Sequence, residues 1–438
     1  MKKKIILYIL ISIISIILVI TSVFIYIYWP RTVTLFDTKI SADTLILDLT
    51  GYPINTSNEW ITKLCNFKKL EAVVCKDSTI TIGERIKLEE LYPNVYFDII
   101  AIIDIYGLSV REDVTELDLS VCTIDDISNI VDSLKQFPKL KNVNLSDQKL
   151  TQELQYELLD KFPNVSFVWD VEIADKLVNS NIETLDISKA KINDLNIFKN
   201  SLKLLPNLTY LDMSDCNLSN EELATLREEF PNIKIVWTLH FGIWKTKTDA
   251  VAFSVLITTF NYTRMTSKDI EILKYCTDLQ ALDLGHQAIT DVSFIADTFP
   301  ELRILILADN KITDISPLAK LKHLHYLELF MNRVTDLSPL IACNELVDLN
   351  LCYNTTLSDI SPLLNNDFPN LERIWISHCR ISSSNYKALF AKYPNAKINA
   401  YGAGSTNDGW RTHERYYAMI NMFYKRNYIS ELFTKYDT

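Results

Sequence analysis

The sequence is poor in glycine and lacks the short motifs that mark enzyme active sites and metal sites. Only 8 of its 438 residues are glycine, and none of them forms a phosphate loop, a dinucleotide fingerprint or a nucleophile elbow. No two cysteines are separated by two residues, and no H-E-x-x-H segment occurs. These absences argue against an enzyme, so we expect neither a metal ion nor another cofactor.

Positive charge is also scarce. Lysine and arginine total 44 against 55 aspartate and glutamate residues, which gives a net charge of −11. A nucleic-acid-binding protein needs basic side chains to neutralise phosphates. We therefore expect no nucleic-acid partner.

The first thirty residues combine a basic start with a long uncharged run. Ile5–Trp29 contains no charged residue, and three lysines precede it. At about 1.5 Å per helical residue, this run exceeds the roughly 30 Å hydrocarbon core of a bilayer. We predict a transmembrane signal-anchor helix within residues 1–30, with the N-terminus in the cytoplasm and the rest of the chain outside. A cleaved signal peptide is the alternative, but the run is too long and no cleavage site of small residues follows.

Residues 302–334 contain one pattern twice, 22 residues apart. Alternating apolar residues lead to an asparagine, which is Asn310 in the first copy and Asn332 in the second. The alternation predicts a short strand with one buried face. The asparagine fits the turn that follows, where its side chain can bond to free backbone groups. Stacking such units buries the apolar stripe that each unit cannot bury alone.

The same pattern extends over most of the chain. Twelve candidate strands begin near Thr44, Leu70, Val114, Leu140, Ile182, Leu208, Ala252, Leu279, Leu302, Leu324, Leu346 and Leu371. Four more lie in the phrases that start at Tyr92, Phe162, Phe230 and Tyr393. Up to residue 252 a block of three strands recurs about every 70 residues, which indicates duplication. We predict a linker or N-terminal cap over 31–43, repeats over 44–401 and a helical cap on the last repeat over 402–438.

This pattern resembles the leucine-rich repeat, and its D-I-S-P-L variant at 314–318 is similar to the repeats of internalin-type bacterial surface proteins. The resemblance implies an α/β fold, a solenoid with a parallel β-sheet on its concave face. Short helices or 3₁₀ turns would form the convex face, with 3₁₀ turns at Ser316, Ser338 and Ser361 where the repeats are short. The longer repeats should carry helices, because Ser219 and Glu222 form a capping-box pair.

Cysteine and histidine both have structural interpretations. Cys122, Cys216 and Cys379 occupy the asparagine position of their repeats, too far apart for disulfides, so we expect free thiols. Of the six histidines, His325 has a concave position, while His286 and His378 lie in distant repeats. We predict no metal site.

The concave side of the strands begins with acidic residues. The middle outward positions are Asp48, Asp118, Asn144, Asp186, Asp212, Asp283, Ile306, Glu328, Asn350 and Trp375. The first aspartates either keep an exposed sheet soluble or attract a basic partner by electrostatic steering.

The last repeats instead place large apolar side chains on the concave side. The predicted patch consists of Ile306, Tyr326, Phe330, Met331, Tyr353 and Trp375, with Arg303 and Arg373 at its margin. Adjacent strands lie about 4.8 Å apart, so these side chains should meet. Such a patch indicates a partner-binding site. In the alternative, the C-terminal tail folds over it and makes it part of the core.

Together these features predict a membrane-anchored, extracellular leucine-rich repeat protein that binds a protein or peptide on its concave face without catalysis. One alternative is a structural or assembly subunit of a cell-envelope complex. A second alternative places an unrecognised activity in the C-terminal tail.

Overall fold

The computed structural model describes residues 2–28, 31–52, 54, 59–255, 263–404, 408–426 and 430–433. Parts of three predicted segments lie outside the described residues. They are Met1, Trp29 and Pro30 of the predicted membrane segment, residues 53, 55–58 and 256–262 of the predicted repeats, and residues 405–407, 427–429 and 434–438 of the predicted C-terminal cap.

The described residues form three parallel sheets of three strands, one parallel sheet of seven strands and four antiparallel hairpins. The parallel strands are β3 (Ile46–Asp48), β4 (Ala72–Cys75), β5 (Tyr96–Ile99), β8 (Glu116–Asp118), β9 (Asn142–Asn144), β10 (Ser166–Val168), β13 (Thr184–Asp186), β14 (Tyr210–Asp212), β15 (Lys234–Val236), β18 (Ala252–Ser254), β19 (Ala281–Asp283), β20 (Ile304–Ile306), β21 (Tyr326–Glu328), β22 (Asp348–Asn350), β23 (Arg373–Trp375) and β24 (Lys397–Asn399). The hairpin strands are β1 (Thr32–Leu35), β2 (Thr38–Ser41), β6 (Ile102–Ile105), β7 (Leu108–Arg111), β11 (Asp170–Ile173), β12 (Lys176–Asn179), β16 (Thr238–Phe241) and β17 (Trp244–Lys247). Every predicted repeat strand is present, and all of them pair in parallel.

Helices connect the strands or flank them. They are α1 (Lys2–Tyr28), α2 (Glu59–Lys63), α3 (Ile82–Leu91), α4 (Ile130–Leu134), α5 (Gln152–Lys161), α6 (Leu195–Lys203), α7 (Asn220–Glu229), α8 (Ser293–Thr298), α9 (Ser361–Asn365), α10 (Ser383–Lys392) and α11 (Glu414–Lys425). Short 3₁₀ helices span Leu64–Asn66, Asp269–Tyr275, Ser316–Lys320, Ser338–Ala342 and Ser430–Leu432. The side chains of α1 are described over residues 8–23. Within the described residues, no helix has both the length and the apolar character needed to cross a membrane.

The helix types follow the prediction in the two 22-residue repeats and in the repeat that carries α7. Ser316 and Ser338 begin 3₁₀ helices in the 22-residue repeats. The prediction is wrong at Ser361, where α9 is an α-helix, because the longer repeat leaves room for a wider turn. The capping box at α7 is confirmed, since the Ser219 hydroxyl accepts from the backbone of Glu222, whose carboxylate accepts from the Ser219 N–H.

The chain divides into two compact units. Unit 1 comprises Met1–Asn181 and Lys199–Pro206, and unit 2 comprises Ile182–Phe198 and Asn207–Thr438. Unit 1 contains the sheets β3–β5 and β8–β10, and unit 2 contains the sheets β13–β15 and β18–β24. In both units the middle residue of each strand is apolar and points into the core, as Leu47 does in β3 and Leu327 does in β21.

The hairpins are the part of the fold that the sequence interpretation missed. Each precedes a parallel sheet along the chain, and β1–β2 packs Val33 and Leu35 against the first repeat. The turn of β1–β2 holds Phe36 and Asp37 at φ 45° and 60°. These values match a type I′ turn, which favours glycine, asparagine and aspartate. Asp37 belongs to that set and Phe36 does not, so the turn carried only a weak signal.

The strands β20–β22 follow one another without hairpins, and a row of asparagine side chains, the asparagine ladder, connects their repeats. The Asn332 Nδ2 donates to the carbonyls of Leu307 and Leu329, at 2.8 and 3.2 Å, and its Oδ1 accepts from the Ile312 N–H at 3.0 Å. Asn310 and Asn354 repeat this arrangement. Each asparagine therefore fastens its repeat to the preceding one.

Cysteines at the same position make similar contacts. The Cys216 Sγ lies 3.3 Å from the carbonyl oxygen of Ile187, and the Cys379 Sγ lies 3.3 Å from that of Leu351. All eight cysteines are free thiols, as predicted.

Candidate functional site: the concave strand faces

The predicted concave residues of unit 2 form two rows across the sheet. Pairing aligns Ile304, Tyr326, Asp348 and Arg373 in one row. It aligns Asp283, Ile306, Glu328, Asn350 and Trp375 in the other row. The alternation of side chains along each strand thus assigned the correct side of the sheet to these residues.

The patch itself is not exposed. Ile306, Tyr326, Trp375 and Arg373 are buried, because residues 408–426 and 430–433, which we term the C-terminal segment, cover them. The apolar side of α11 supplies the cover, with Tyr416, Met419, Met422 and Phe423 in the same apolar cluster, together with Trp410 and Phe433. The expectation of an open patch is therefore wrong, and the alternative of a covering tail holds. Within the predicted cap, α11 is helical and packs on the concave face.

Trp410 is the centre of this contact. Its ring centroid lies 5.2 Å from that of Tyr326 and 5.3 Å from that of Trp375. The Arg373 guanidinium lies 4.4 Å from the Trp410 ring centroid and donates to the Trp410 carbonyl at 3.3 Å. Buried aromatic clusters of this kind contribute more than their area alone. The Trp410 ring is therefore surrounded by Tyr326, Trp375 and the Arg373 guanidinium.

A buried ionic network surrounds the aromatic centre. Asp348 accepts from Arg373 at 2.8 and 2.6 Å and from Arg415 of α11 at 2.6 Å. The other Arg415 nitrogen donates to Glu372 at 2.6 Å. Asp348 is fully buried and both arginines are nearly so. Because an unpaired buried charge is costly, each group depends on the others being in place.

Glu328 holds the second polar contact. Its Oε2 accepts from the Trp410 Nε1–H at 3.0 Å and from the Tyr326 hydroxyl at 3.2 Å. Its Oε1 lies 3.6 Å from an Arg411 nitrogen. Burial raises the pKa of Tyr326 well above its ordinary value, so the hydroxyl stays a donor. The C-terminal segment thus contributes one tryptophan and two arginines to three carboxylates of the sheet.

The remaining patch residues lie at the margin. Phe330 and Tyr353 are half-buried and 5.3 Å apart between centroids, and the Tyr353 hydroxyl donates to the carbonyl of Ala403 at 3.2 Å. Arg303 is also half-buried. Met331 is 44% exposed and is the member of the predicted patch that stays most accessible.

His325, which the sequence placed on the concave side, is also buried. Its ring stacks on Phe433 with centroids 5.0 Å apart. His286 and His378 instead hold turn positions with φ 61° and 60°.

Unit 1 presents the contrasting situation. Ile46 and Tyr96 on β3 and β5 are 61% and 69% exposed. They are paired through Ala72 of β4, and the carboxylates of Asp48 and Asp118 are exposed on the same side of their strands. We call the residues Ile46, Asp48, Tyr96, Glu116, Asp118 and Asn142 the open concave surface. A shallow cavity of about 390 Å³ lies over β8–β10, lined in part by Glu116, Asp118 and Asn142.

Two carboxylates of this surface, those of Asp48 and Asp118, accept hydrogen bonds that favour their charged forms. Hydrogen bonds from Thr50 lower the pKa of Asp48, with the Thr50 N–H 2.9 Å from its Oδ1. Hydrogen bonds from Ser120 lower the pKa of Asp118, with the Ser120 hydroxyl at 2.6 Å. The predicted acidic ladder is therefore solvated in unit 1.

The ladder ends within unit 2. Asp212 is buried and paired with Lys247 of β17, which a hairpin brings to it. Asp283 is fully buried, and burial raises its pKa to about 6. The expectation that these two aspartates are solvated is wrong, because each lies under a neighbouring element that the repeat pattern does not contain.

Sequence reasoning missed Trp410, Arg411 and Arg415 as site residues. The phrase Gly-Trp-Arg-x-His-x-Arg from Gly409 to Arg415 was visible, and two arginines four residues apart in an acidic chain were the available signal.

Comparisons with known proteins agree with this architecture. A family model described as Leucine Rich repeats (2 copies) matches residues 300–342, and a Leucine Rich repeat model matches residues 205–221. An internalin of Listeria monocytogenes, InlF, is 18% identical and aligns over 83% of this chain and 84% of its own, with a TM-score of 0.30. Internalin C2 of the same organism is 25% identical over 52% of this chain and 86% of its own, with a TM-score of 0.29. A leucine-rich repeat protein of Leptospira interrogans is 18% identical over 82% of this chain and 96% of its own, with a TM-score of 0.31.

The family models therefore confirm the predicted resemblance to leucine-rich repeat proteins, over residues 205–221 and 300–342. Proteins of this architecture are interaction modules whose stacked strands provide an extended binding face.

Proposed function

We propose that this protein is a non-catalytic binding module that recognises a protein or peptide through the open concave surface of unit 1. The observation that carries the proposal is the exposure of Ile46 and Tyr96 beside charged carboxylates. Exposed aromatic and aliphatic side chains next to polar groups are typical of interaction sites. The C-terminal segment covers the concave face of β18–β23, and the exposure of the corresponding residues in unit 1 supports the proposal.

The charges of the open concave surface define the partner. Asp48, Glu116 and Asp118 are exposed acidic side chains on one side of the strands. Such a surface accelerates the association of a basic partner, and this acceleration falls as salt rises. Ile46 and Tyr96 would supply apolar contact once the partner has arrived. A basic protein segment with one or two apolar side chains fits both features.

The test is a binding measurement on variants of the full chain. The wild type should capture a partner from surface extracts, and a triple variant with Ile46→Ser, Tyr96→Ala and Asp118→Asn should lose it. Tyr401→Ala is the matched control, because Tyr401 is equally exposed but lies beyond the last strand. A partner that binds the triple variant as well as it binds the control would place the site elsewhere.

We also propose that the N-terminal segment anchors the protein in a membrane with the repeats outside the cell. Support comes from the sequence, in which Ile5–Trp29 is uncharged and follows three lysines. Helix α1 covers Lys2–Tyr28, and apolar side chains such as Ile9, Ile13 and Ile16 are exposed on it. Protease added to intact cells should digest residues after Pro30. Protection of the repeats from that protease would contradict the orientation.

The exposed apolar helix also favours a second candidate, a subunit of a cell-envelope complex that assembles through α1. Its side chains are exposed over the whole described stretch of residues 8–23, so a partner helix could pack there. Replacing Ile5–Trp29 by an unrelated apolar helix separates the candidates. Partner capture should survive that exchange in a binding module and disappear in an assembly subunit.

A further inference from the structure

The C-terminal segment packs on the concave face of unit 2 through side-chain contacts, as a bound peptide would. Its described residues add no strand to the sheet. Its polar contacts with the concave face are made by the side chains of Trp410, Arg411 and Arg415. The receiving groups are Glu328, Asp348 and Glu372, all on or beside β21–β23. Charge complementarity therefore defines which segment fits this face.

The fit leaves buried polar groups without partners. The Asn350 Nδ2 and the Trp375 Nε1 have no hydrogen-bond partner among the described residues, although both side chains are fully buried. The Glu328 Oε1 also lacks a hydrogen bond, since its contact with Arg411 is an ion pair at 3.6 Å. A buried donor without an acceptor is unfavourable. The three groups lie on neighbouring strands beneath the segment, so a ligand that supplied an acceptor and a closer donor there would bind more favourably.

We propose that the concave face of β20–β23 is a second, reversible binding site that is specific for a segment of another protein with the chemistry of the C-terminal segment. That ligand carries a tryptophan followed directly by an arginine, a second arginine four residues later, and an amphipathic helix that starts between them. The chain's own C-terminal segment occupies the site as an intramolecular competitor. This site is distinct from the open concave surface, so its test is independent of the function proposed above.

The ligand chemistry follows from the contacts. The tryptophan fills the space between Tyr326 and Trp375 and donates its indole N–H to Glu328. The second arginine forms ion pairs with the carboxylates of Asp348 and Glu372. A lysine cannot make this paired contact, because it presents one point charge where the guanidinium presents a planar fork.

The experiment uses the full chain and a labelled peptide of residues 408–433 as the probe. In the wild type the tethered segment competes at an effective concentration in the millimolar range, so the peptide should bind weakly. In a Trp410→Ala, Arg415→Ala variant the competitor loses its two main contacts. Fluorescence anisotropy should then give an apparent Kd at least about 100-fold lower than for the wild type.

Two controls establish specificity. Adding Glu328→Gln and Asp348→Asn to the variant should abolish peptide binding, because the receiving carboxylates are gone. A peptide with alanine in place of the tryptophan and the second arginine should not bind the original variant. The proposal is overturned if the wild-type peptide binds the variant no better than it binds the wild-type chain.

A second arrangement covers the case in which the double variant does not fold. A protease site replaces residues 405–407, and the otherwise unchanged chain is cut after folding. Excess labelled peptide should then exchange with the cut segment, as seen by co-elution with the repeats. Absence of exchange within a day would show that the segment is a permanent part of the core and would overturn the proposal.

Discussion

The strands β8–β10 of unit 1 and β20–β22 of unit 2 follow the same alternation of residues, yet their concave faces differ. In unit 1, Asp118 is exposed beside Glu116 and Asn142. In unit 2, Asp348 is fully buried between two arginines. The strand pattern thus determines which side a residue faces, whereas burial depends on a segment that lies after the last strand.

The two regions also differ in how their repeats are joined. Hairpins interrupt the parallel strands of unit 1 after every third strand. In unit 2, Asn310, Asn332 and Asn354 connect consecutive repeats, and seven strands continue without interruption. An uninterrupted sheet provides the wide face on which the C-terminal segment packs. Stability and binding should therefore respond differently to equivalent changes in the two regions.

The largest difference should appear at Trp410. Trp410→Ala removes a fully buried side chain and its hydrogen bond to Glu328, so we expect unit 2 to lose about 3–5 kcal/mol of its free energy of unfolding. Tyr417→Ala is the control on the outer side of α11, where the side chain is 60% exposed, and it should change stability by less than about 0.5 kcal/mol. Urea titrations followed by tryptophan fluorescence measure both. Equal effects would mean that the C-terminal segment is not docked as described.

The next largest difference in stability should be between substitutions of Asp348 and Asp118. Asp348→Asn leaves Arg373 and Arg415 without their shared counter-charge, and we expect a loss of about 3 kcal/mol because both arginines are buried. Asp118→Asn changes a solvated carboxylate, and the expected effect is below about 0.5 kcal/mol. The same urea titrations apply. A small effect at Asp348 would show that this ionic network is open to solvent.

A smaller difference should appear in the links between repeats. Asn332→Ala leaves the Ile312 N–H without its acceptor and removes one of the donors to each of the Leu307 and Leu329 carbonyls, so we expect the free energy of unfolding to fall by about 2 kcal/mol. Cys122 holds the same position in unit 1 and is only half-buried, and Cys122→Ala should lose less than about 1 kcal/mol. Thermal unfolding of both variants checks the order. A reversed order would mean that the ladder adds nothing to the stacking of leucines.

The smallest effect should be a pH dependence. Burial raises the pKa of Asp283 to about 6, above its value near 3.8 in the unfolded chain. The folded state then binds more protons than the unfolded state between these values, so this group lowers stability as pH rises. The difference in free energy of unfolding between Asp283→Asn and the wild type should therefore shift by about 1 kcal/mol in favour of the variant as the pH rises from 5 to 7.5. A difference between the two proteins that stays constant with pH would contradict the burial of this carboxyl group.

The sequence predicted the repeat strands and the side to which each residue points, because a two-residue alternation leaves only one choice once Leu327 is assigned to the core. It did not predict the hairpins, since turns such as Phe36-Asp37 adopt a positive φ without glycine or asparagine. It identified Tyr326 and Trp375 as neighbours but not as buried residues. Their cover comes from Trp410, and a contact between positions so far apart in sequence leaves no local pattern.

The central claim is that the C-terminal segment covers the concave face of β18–β23 and leaves that of unit 1 open. Hydroxyl-radical footprinting of the full chain, read by mass spectrometry at Tyr326 and Tyr96, tests it most directly. Tyr326 has no exposed surface and Tyr96 is 69% exposed, so Tyr96 should be oxidised readily and Tyr326 protected. Oxidation of Tyr326 at the rate of Tyr96 would show that the face is uncovered and would contradict the account.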